Sequence, residues 1–173
     1  LKFVAVFSDA FSSNKQRTME AFGATVHVEK SNGKGITPEL IQRMKTKAFE
    51  LSKKGNTFYA DQFGSTDVTL GYEPMGKEIG NQLDGEIDVL CASVGTGGAI
   101  MGCWKGLVQN GITADVVAFE PHQSPFLTTG KGGAHQVEGI GVGFEPPFLD
   151  RSVLADIRAI DQELGFTMCR RLA

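Results

Sequence analysis

The stretch Val94-Gly95-Thr96-Gly97-Gly98-Ala99-Ile100-Met101-Gly102 brings together residue types suited to holding an anion. Before it, residues 87–92 form a short apolar run that reads as a buried strand. After it, Ile100, Met101, Trp104, Leu107 and Val108 recur at helical spacing, and Gly111 is a stop signal. Strand, glycine turn and helix together leave backbone N–H groups free at a helix N-terminus, where they face a bound anion. Gly95, Gly97 and Gly98 carry no Cβ and tolerate positive φ, so the backbone can approach a phosphate closely. The hydroxyl of Thr96 offers one more donor. A tight turn that binds nothing is the other reading of the same residues.

Other chemistry is less well supported. Glu120 ends the strand after the glycine helix, where a dinucleotide fold places its ribose-binding acid. The G-x-G-x-x-G fingerprint fails, however, because Ile100 occupies the third glycine position, and Glu120-Pro121 also reads as a capped strand end. A P-loop fails for want of Gly-Lys-Ser/Thr. His27, His122 and His135 are not paired with Cys or acids at ligand spacing, so no metal site is expected. Ser93 lacks a nucleophile-elbow sequence.

The elements that position these residues follow from capping and periodicity. Residues 2–7 read as a strand, and Ser12 or Ser13 caps a helix that ends at Gly23. Residues 24–29 read as a second strand. Thr37-Pro38-Glu39 opens a long helix as N-cap, first helical residue and first-turn acid, with Gly55 at its end. Residues 57–60 are expected as a short strand, and 68–82 as a helix whose first turns Gly71 and Pro74 leave uncertain. Residues 115–120 are a buried strand, 121–150 a Gly- and Pro-rich excursion, and 153–160 carry mixed signals. Asp161 caps a last helix. The alternation implies an α/β protein with a largely parallel sheet. A composition shift near Ser65 marks a boundary between a smaller lobe, 1–65, and a larger one, 66–173.

The chain has 173 residues, 41% of them hydrophobic and 21% charged, which suits a globular protein with a buried core. A net charge of −3 gives no reason to expect a nucleic-acid or membrane surface. The basic residues Arg43, Lys45, Lys47, Lys53 and Lys54 lie along one predicted helix and read as a solvated face. Glycine accounts for 22 residues against a usual share of about 7%, and it gathers at 95–98, 130–133 and 139–143, as backbone-lined sites require. Cys91, Cys103 and Cys169 are odd in number, sit in apolar contexts and lack C-x-x-C spacing, so they are expected as reduced core residues of an intracellular, cytoplasmic protein.

Several motifs in order then resemble one family. Val94-Gly95-Thr96-Gly97-Gly98, Glu120-Pro121-His122-Gln123-Ser124-Pro125 and the run from His135 through Gly139-Ile140-Gly141 to Phe144 are similar to the cysteine synthase (O-acetylserine sulfhydrylase) and cystathionine β-synthase group. Phe11-Ser12-Ser13-Asn14-Lys15, Asp61-Gln62-Phe63 and Gly76-Lys77-Glu78-Ile79 fit the same register. The resemblance implies a fold-type-II (tryptophan synthase β-like) pyridoxal-phosphate enzyme. Its α/β fold would be three-layered, with a largely parallel twisted sheet, helices on both faces, and two lobes. It implies β-replacement on O-acetylserine or serine, a small amino-acid substrate, and a homodimer when complete. The non-catalytic anion-binding module and the nicotinamide binder stand as alternatives.

By the same resemblance, Gly95, Thr96, Gly97, Gly98 and Ala99 hold the cofactor phosphate, Gln62 meets the substrate carboxylate, and Gly139, Ile140 and Gly141 pass near both. Ala99 departs from a threonine common in the family, and Glu138 from a glutamine common in cysteine synthases. The family's Schiff-base lysine and its Ser-Gly-Asn-Thr-Gly loop align before Leu1, and the serine at the pyridine nitrogen aligns after Ala173. The chain is therefore expected to be an internal segment, with no catalytic lysine of its own and no activity alone.

Overall fold

The structure is a computed structural model that describes residues 1–173. Its strands form two separate parallel sheets. In the first, β1 (Val4–Ser8) pairs with β2 (Thr25–Glu29), Val4 opposite Thr25, and α1 (Ser13–Ala21) makes the crossover. In the second, β4 (Asp115–Pro121) lies between β3 (Val89–Ser93) and β5 (Leu154–Ile160). Parallel neighbours cannot be joined by a hairpin, and here α4 (Gly98–Gln109) makes the crossover from β3 to β4. A register shift between Val116 and Val117 interrupts the β4–β5 ladder, and residues 153–160, whose sequence signals are mixed, run from the end of a 3-10 turn (Arg151–Val153) into β5.

α2 (Pro38–Ser52) begins as its sequence dictates. Thr37 is extended, and its hydroxyl accepts from Leu40 N–H at 3.3 Å. The predicted strand at 57–60 is not formed. Isolated extended chain gains nothing without a ladder partner, and no strand lies beside it.

α3 (Asp67–Gln82) runs through Pro74 and packs lengthwise on α4. The seam is built from glycines. On α4, Gly98, Gly102 and Gly106 are four residues apart and share a face. A Cβ at Gly106 would fall 2.1 Å from the Glu73 carbonyl oxygen, and one at Gly76 on α3 would fall 2.1 Å from that of Cys103. Each helical glycine costs about 1 kcal/mol against alanine, and the close backbone approach offsets that cost. The other side of α4 sends Ile100, Met101 and Leu107 into buried positions. Ile100 and Met101 join Val94, Val116, Ala118 and Leu127 in the core under the second sheet. The chain closes with α5 (Phe126–Thr129) before β5 and α6 (Gln162–Leu172) after it; Asp161 caps α6 by accepting from Glu163 N–H at 2.8 Å.

Candidate functional site

β3 ends at Ser93 and α4 begins at Gly98, so the glycine turn sits at the carboxyl end of a parallel strand, where α/β folds place ligands. Gly97 is the N-cap, with φ +85°, in the left-handed region that favours glycine. The chain's own neighbours also need these glycines. A Cβ at Gly95 would lie 2.4 Å from the Gly139 carbonyl oxygen, one at Gly97 2.7 Å from Leu149 N, and one at Gly98 2.3 Å from Val68 Cγ1. Close packing against protein thus explains the glycines alongside any approach to a ligand.

The donors at the helix start are largely unspent. The N–H groups of Gly95, Thr96, Gly97, Ala99 and Ile100 meet no acceptor in the protein, whereas Met101 N–H bonds to Gly97 O at 3.1 Å. Gly98 differs from its neighbours, because its N–H donates to Thr96 Oγ1 at 3.3 Å and the residue is buried. The Thr96 hydroxyl proton is still available to a ligand.

The turn opens on a cleft of about 490 Å³. Gln62, Gly95, Thr96, Gly97, Ala99 and Gly139 all line it. The structure thus brings together, from three distant stretches, six residues the sequence singled out. No lysine lines the cleft. Asp67, Tyr72 and Ser93 are in its wall and were not anticipated. Ser93 was signalled by its place as the last residue of a parallel strand, and Val68, Gly71 and Tyr72 by shared helical spacing.

Gln62 is presented by a tight turn. Asp61 takes φ +31°, and its carbonyl accepts from Gly64 N–H at 3.0 Å and Ser65 N–H at 2.9 Å. Phe63 anchors the turn against Phe144, ring centroids 5.8 Å apart, with the Lys45 ammonium 4.8 Å from the Phe63 centroid.

Ile140 and Gly141 are outside the cleft lining. Gly141 is a crossing point instead. Its N–H donates to Val94 O at 3.0 Å, and its carbonyl accepts from His135 Nε2 at 2.8 Å. Since a carbonyl only accepts, Nε2 carries the proton, and Nδ1 accepts from Val137 N–H at 3.3 Å. His135 is 3% exposed; burial pulls its pKa below the ordinary value, with the Gly141 carbonyl acting in the opposite sense.

The nicotinamide reading of Glu120 is overturned. The side chain is 2% exposed, and both oxygens serve α5, accepting from Leu127 N–H at 2.6 Å, Thr128 N–H at 3.0 Å and Thr128 Oγ1 at 2.6 Å. The buried carboxylate is engaged within the protein and is not presented to a ribose, and the residue is the capped strand end of the other reading. No three His, Cys, Asp or Glu side chains cluster as a metal would need; all three cysteines are free thiols, but only Cys103 is a core residue, Cys91 and Cys169 being exposed.

Parallel sheets crossed by helices, with unspent N–H donors at a helix start on a cleft, define an α/β protein equipped for a phosphorylated ligand. The chain belongs to the pyridoxal-phosphate dependent enzyme family, whose model matches residues 1–173. It is 30% identical to cysteine synthase B of Campylobacter jejuni over 100% of this chain and 56% of that protein. It is likewise 30% identical to a cysteine synthase of Staphylococcus aureus, over 99% of this chain and 54% of that one. Among solved structures, O-ureido-L-serine synthase superposes with a TM-score of 0.86 at 28% identity, covering 99% of this chain and 53% of that chain. A hydrogen sulfide-producing enzyme from Fusobacterium nucleatum superposes with a TM-score of 0.83 at 28% identity, covering 99% and 55%. The chain spans about half the length of the curated relatives it matches.

Proposed function

We propose that this chain forms the phosphate-gripping and substrate-gripping wall of an enzyme of cysteine metabolism that carries out β-replacement on O-acetylserine or serine. One observation carries the reading: free N–H groups on Gly95, Thr96, Gly97 and Ala99 line the same cleft as Gln62. Relatives named cysteine synthase support the choice of reaction.

Pyridoxal phosphate fits the residues present, because the unpaired donors and the N-terminal end of α4 suit a phosphate dianion. When bound, its ring supplies an electron sink for chemistry at the substrate α-carbon. The chain's own residues do the rest. The amides of the glycine turn fix the phosphate end, with the Thr96 hydroxyl as a further donor. The Gln62 amide donates to the substrate carboxylate, and Gly139 presents bare backbone to the cleft. With no lysine in the lining, the tethering amine comes from outside these residues, and the 173-residue polypeptide alone has no β-replacement activity. The same reading takes 1–65 into a smaller lobe and 66–173 into a larger one, within a cytoplasmic homodimer.

The test uses the full-length protein carrying this segment. Gln62→Ala is expected to weaken amino-acid substrate binding by about 1.5–3 kcal/mol, one hydrogen bond to a charged group, with cofactor affinity unchanged. Unchanged substrate affinity removes Gln62 from this role. For the 173-residue chain, incubation with pyridoxal phosphate and borohydride is expected to label several surface lysines sparsely. Stoichiometric labelling of one lysine together with cysteine formation would overturn the assignment.

A further inference from the structure

α1 opens without a cap from its own sequence. Ser12 is the N-cap, yet its side chain makes no capping bond, and the first turn holds no acid. In a capping box the third helical residue is Glu or Gln, which reaches back to the N-cap N–H. Here that residue is Lys15, which can only donate. Glu138, 126 residues beyond Ser12, takes the part: one carboxylate oxygen accepts from the Ser12 N–H and the other from the Lys15 ammonium. The Glu138 side chain is 22% exposed and Lys15 62%, so the contact is partly sheltered on the carboxylate side.

The residue after Glu138 is in the cleft wall. Gly139 lines the cleft, and its carbonyl sits against Gly95 so closely that a Cβ there would be 2.4 Å from it. Two residues on, Gly141 N–H is bonded to Val94 O at 3.0 Å. Residues 138–141 therefore tie α1 at one end and the glycine turn at the other, with Gly139 between the two ties.

Building on the cleft assignment above, we propose that Glu138 is a positioning residue. By completing the cap of α1 it holds Gly139 in the cleft wall, and so sets substrate affinity without touching the ligand. The remote capping box links the β1–β2 sheet to the phosphate turn.

The test compares Glu138→Ala, Glu138→Gln and Lys15→Met in the full-length enzyme loaded with pyridoxal phosphate. Amide hydrogen exchange is followed in residues 13–16 and 139–141, and kcat and KM for O-acetylserine are measured with sulfide. Glu138→Ala is expected to speed exchange about fivefold in both segments, the effect of losing one cap, and to raise KM with kcat held within about twofold. Glu138→Gln keeps an acceptor for Ser12 N–H and is expected to restore most of both, and Lys15→Met is expected to change little. Faster exchange in α1 alone, with 139–141 and KM unmoved, would reduce Glu138 to a local cap and overturn the proposal. So would a glutamine variant no better than alanine. Exchange is read without substrate; an enzyme inactive on O-acetylserine would refute the substrate assignment and leave the exchange comparison to decide on Glu138.

Discussion

The β1–β2 region and the β3–β4–β5 region are both parallel βαβ units, yet they are held together differently. In the second, Val94, Ile100, Met101, Val116, Ala118 and Leu127 form one buried core, backed by the glycine seam of α3 and α4. In the first, the buried side chains reduce to Ser8, Ile36 and Leu40, while Phe3 and Phe22 are exposed. Its elements are fastened by caps, by surface ion pairs such as Arg43–Glu29 at 3.8 Å, and by the Ile36–His135 bridge to the other region. Exposed ion pairs contribute little, so the caps and the Ile36–His135 bridge carry more of the burden there. The difference teaches which wall of the cleft is better packed: the glycine turn stands on a buried core, and the stretch 135–141 across from it is held by single hydrogen bonds such as Gly141 N–H to Val94 O and Ser12 N–H to Glu138.

The strongest way to break this contrast is Gly106→Ala. The new Cβ would meet main chain at 2.1 Å, which no rotamer relieves, and the expected loss is about 3 kcal/mol or more, read as a large fall in Tm. A loss below about 1 kcal/mol would mean that the seam gives way and is no more rigid than the first region. Thr37→Ala probes the other side, removing the cap of α2; a loss of about 1 kcal/mol by denaturant titration is expected, with the β3–β4–β5 region unaffected in hydrogen exchange.

The finest probe is pH. Burial lowers the pKa of His135 in the fold, so below the ordinary histidine value of 6.5 the unfolded chain takes up a proton more readily than the folded chain. This contribution is therefore fully present above pH 6.5, declines as pH falls below it, and levels off below the depressed folded value. The expected signature is acid-sensitive exchange concentrated at 135–141, abolished in His135→Asn. A stability that stays flat from pH 7 to 5 in the wild type would contradict it.

How much of this was legible in the sequence depended on the reach of each interaction. Thr37-Pro38-Glu39 and Asp161 announced helix starts because a cap is satisfied within three residues. The glycine turn was legible for the same reason, and the family motifs located Gln62 and Gly139. Residues 57–60 misled because β-propensity says nothing about whether a partner strand is present. Glu120 was ambiguous until α5 was seen to occupy both its oxygens. Glu138 could not be paired with Ser12 across 126 residues by any local rule, and the absent first-turn acid of α1 was its only trace.

The glycine seam has a consequence for how this protein can vary. Gly76, Gly102 and Gly106 each meet the opposing main chain, at 2.1, 2.4 and 2.1 Å for a hypothetical Cβ, so a substitution on one helix cannot be answered by trimming a side chain on the other. A compensating change would have to move the whole helix, and α4 cannot move without carrying the glycine turn at its start. Drift through this surface one position at a time is closed.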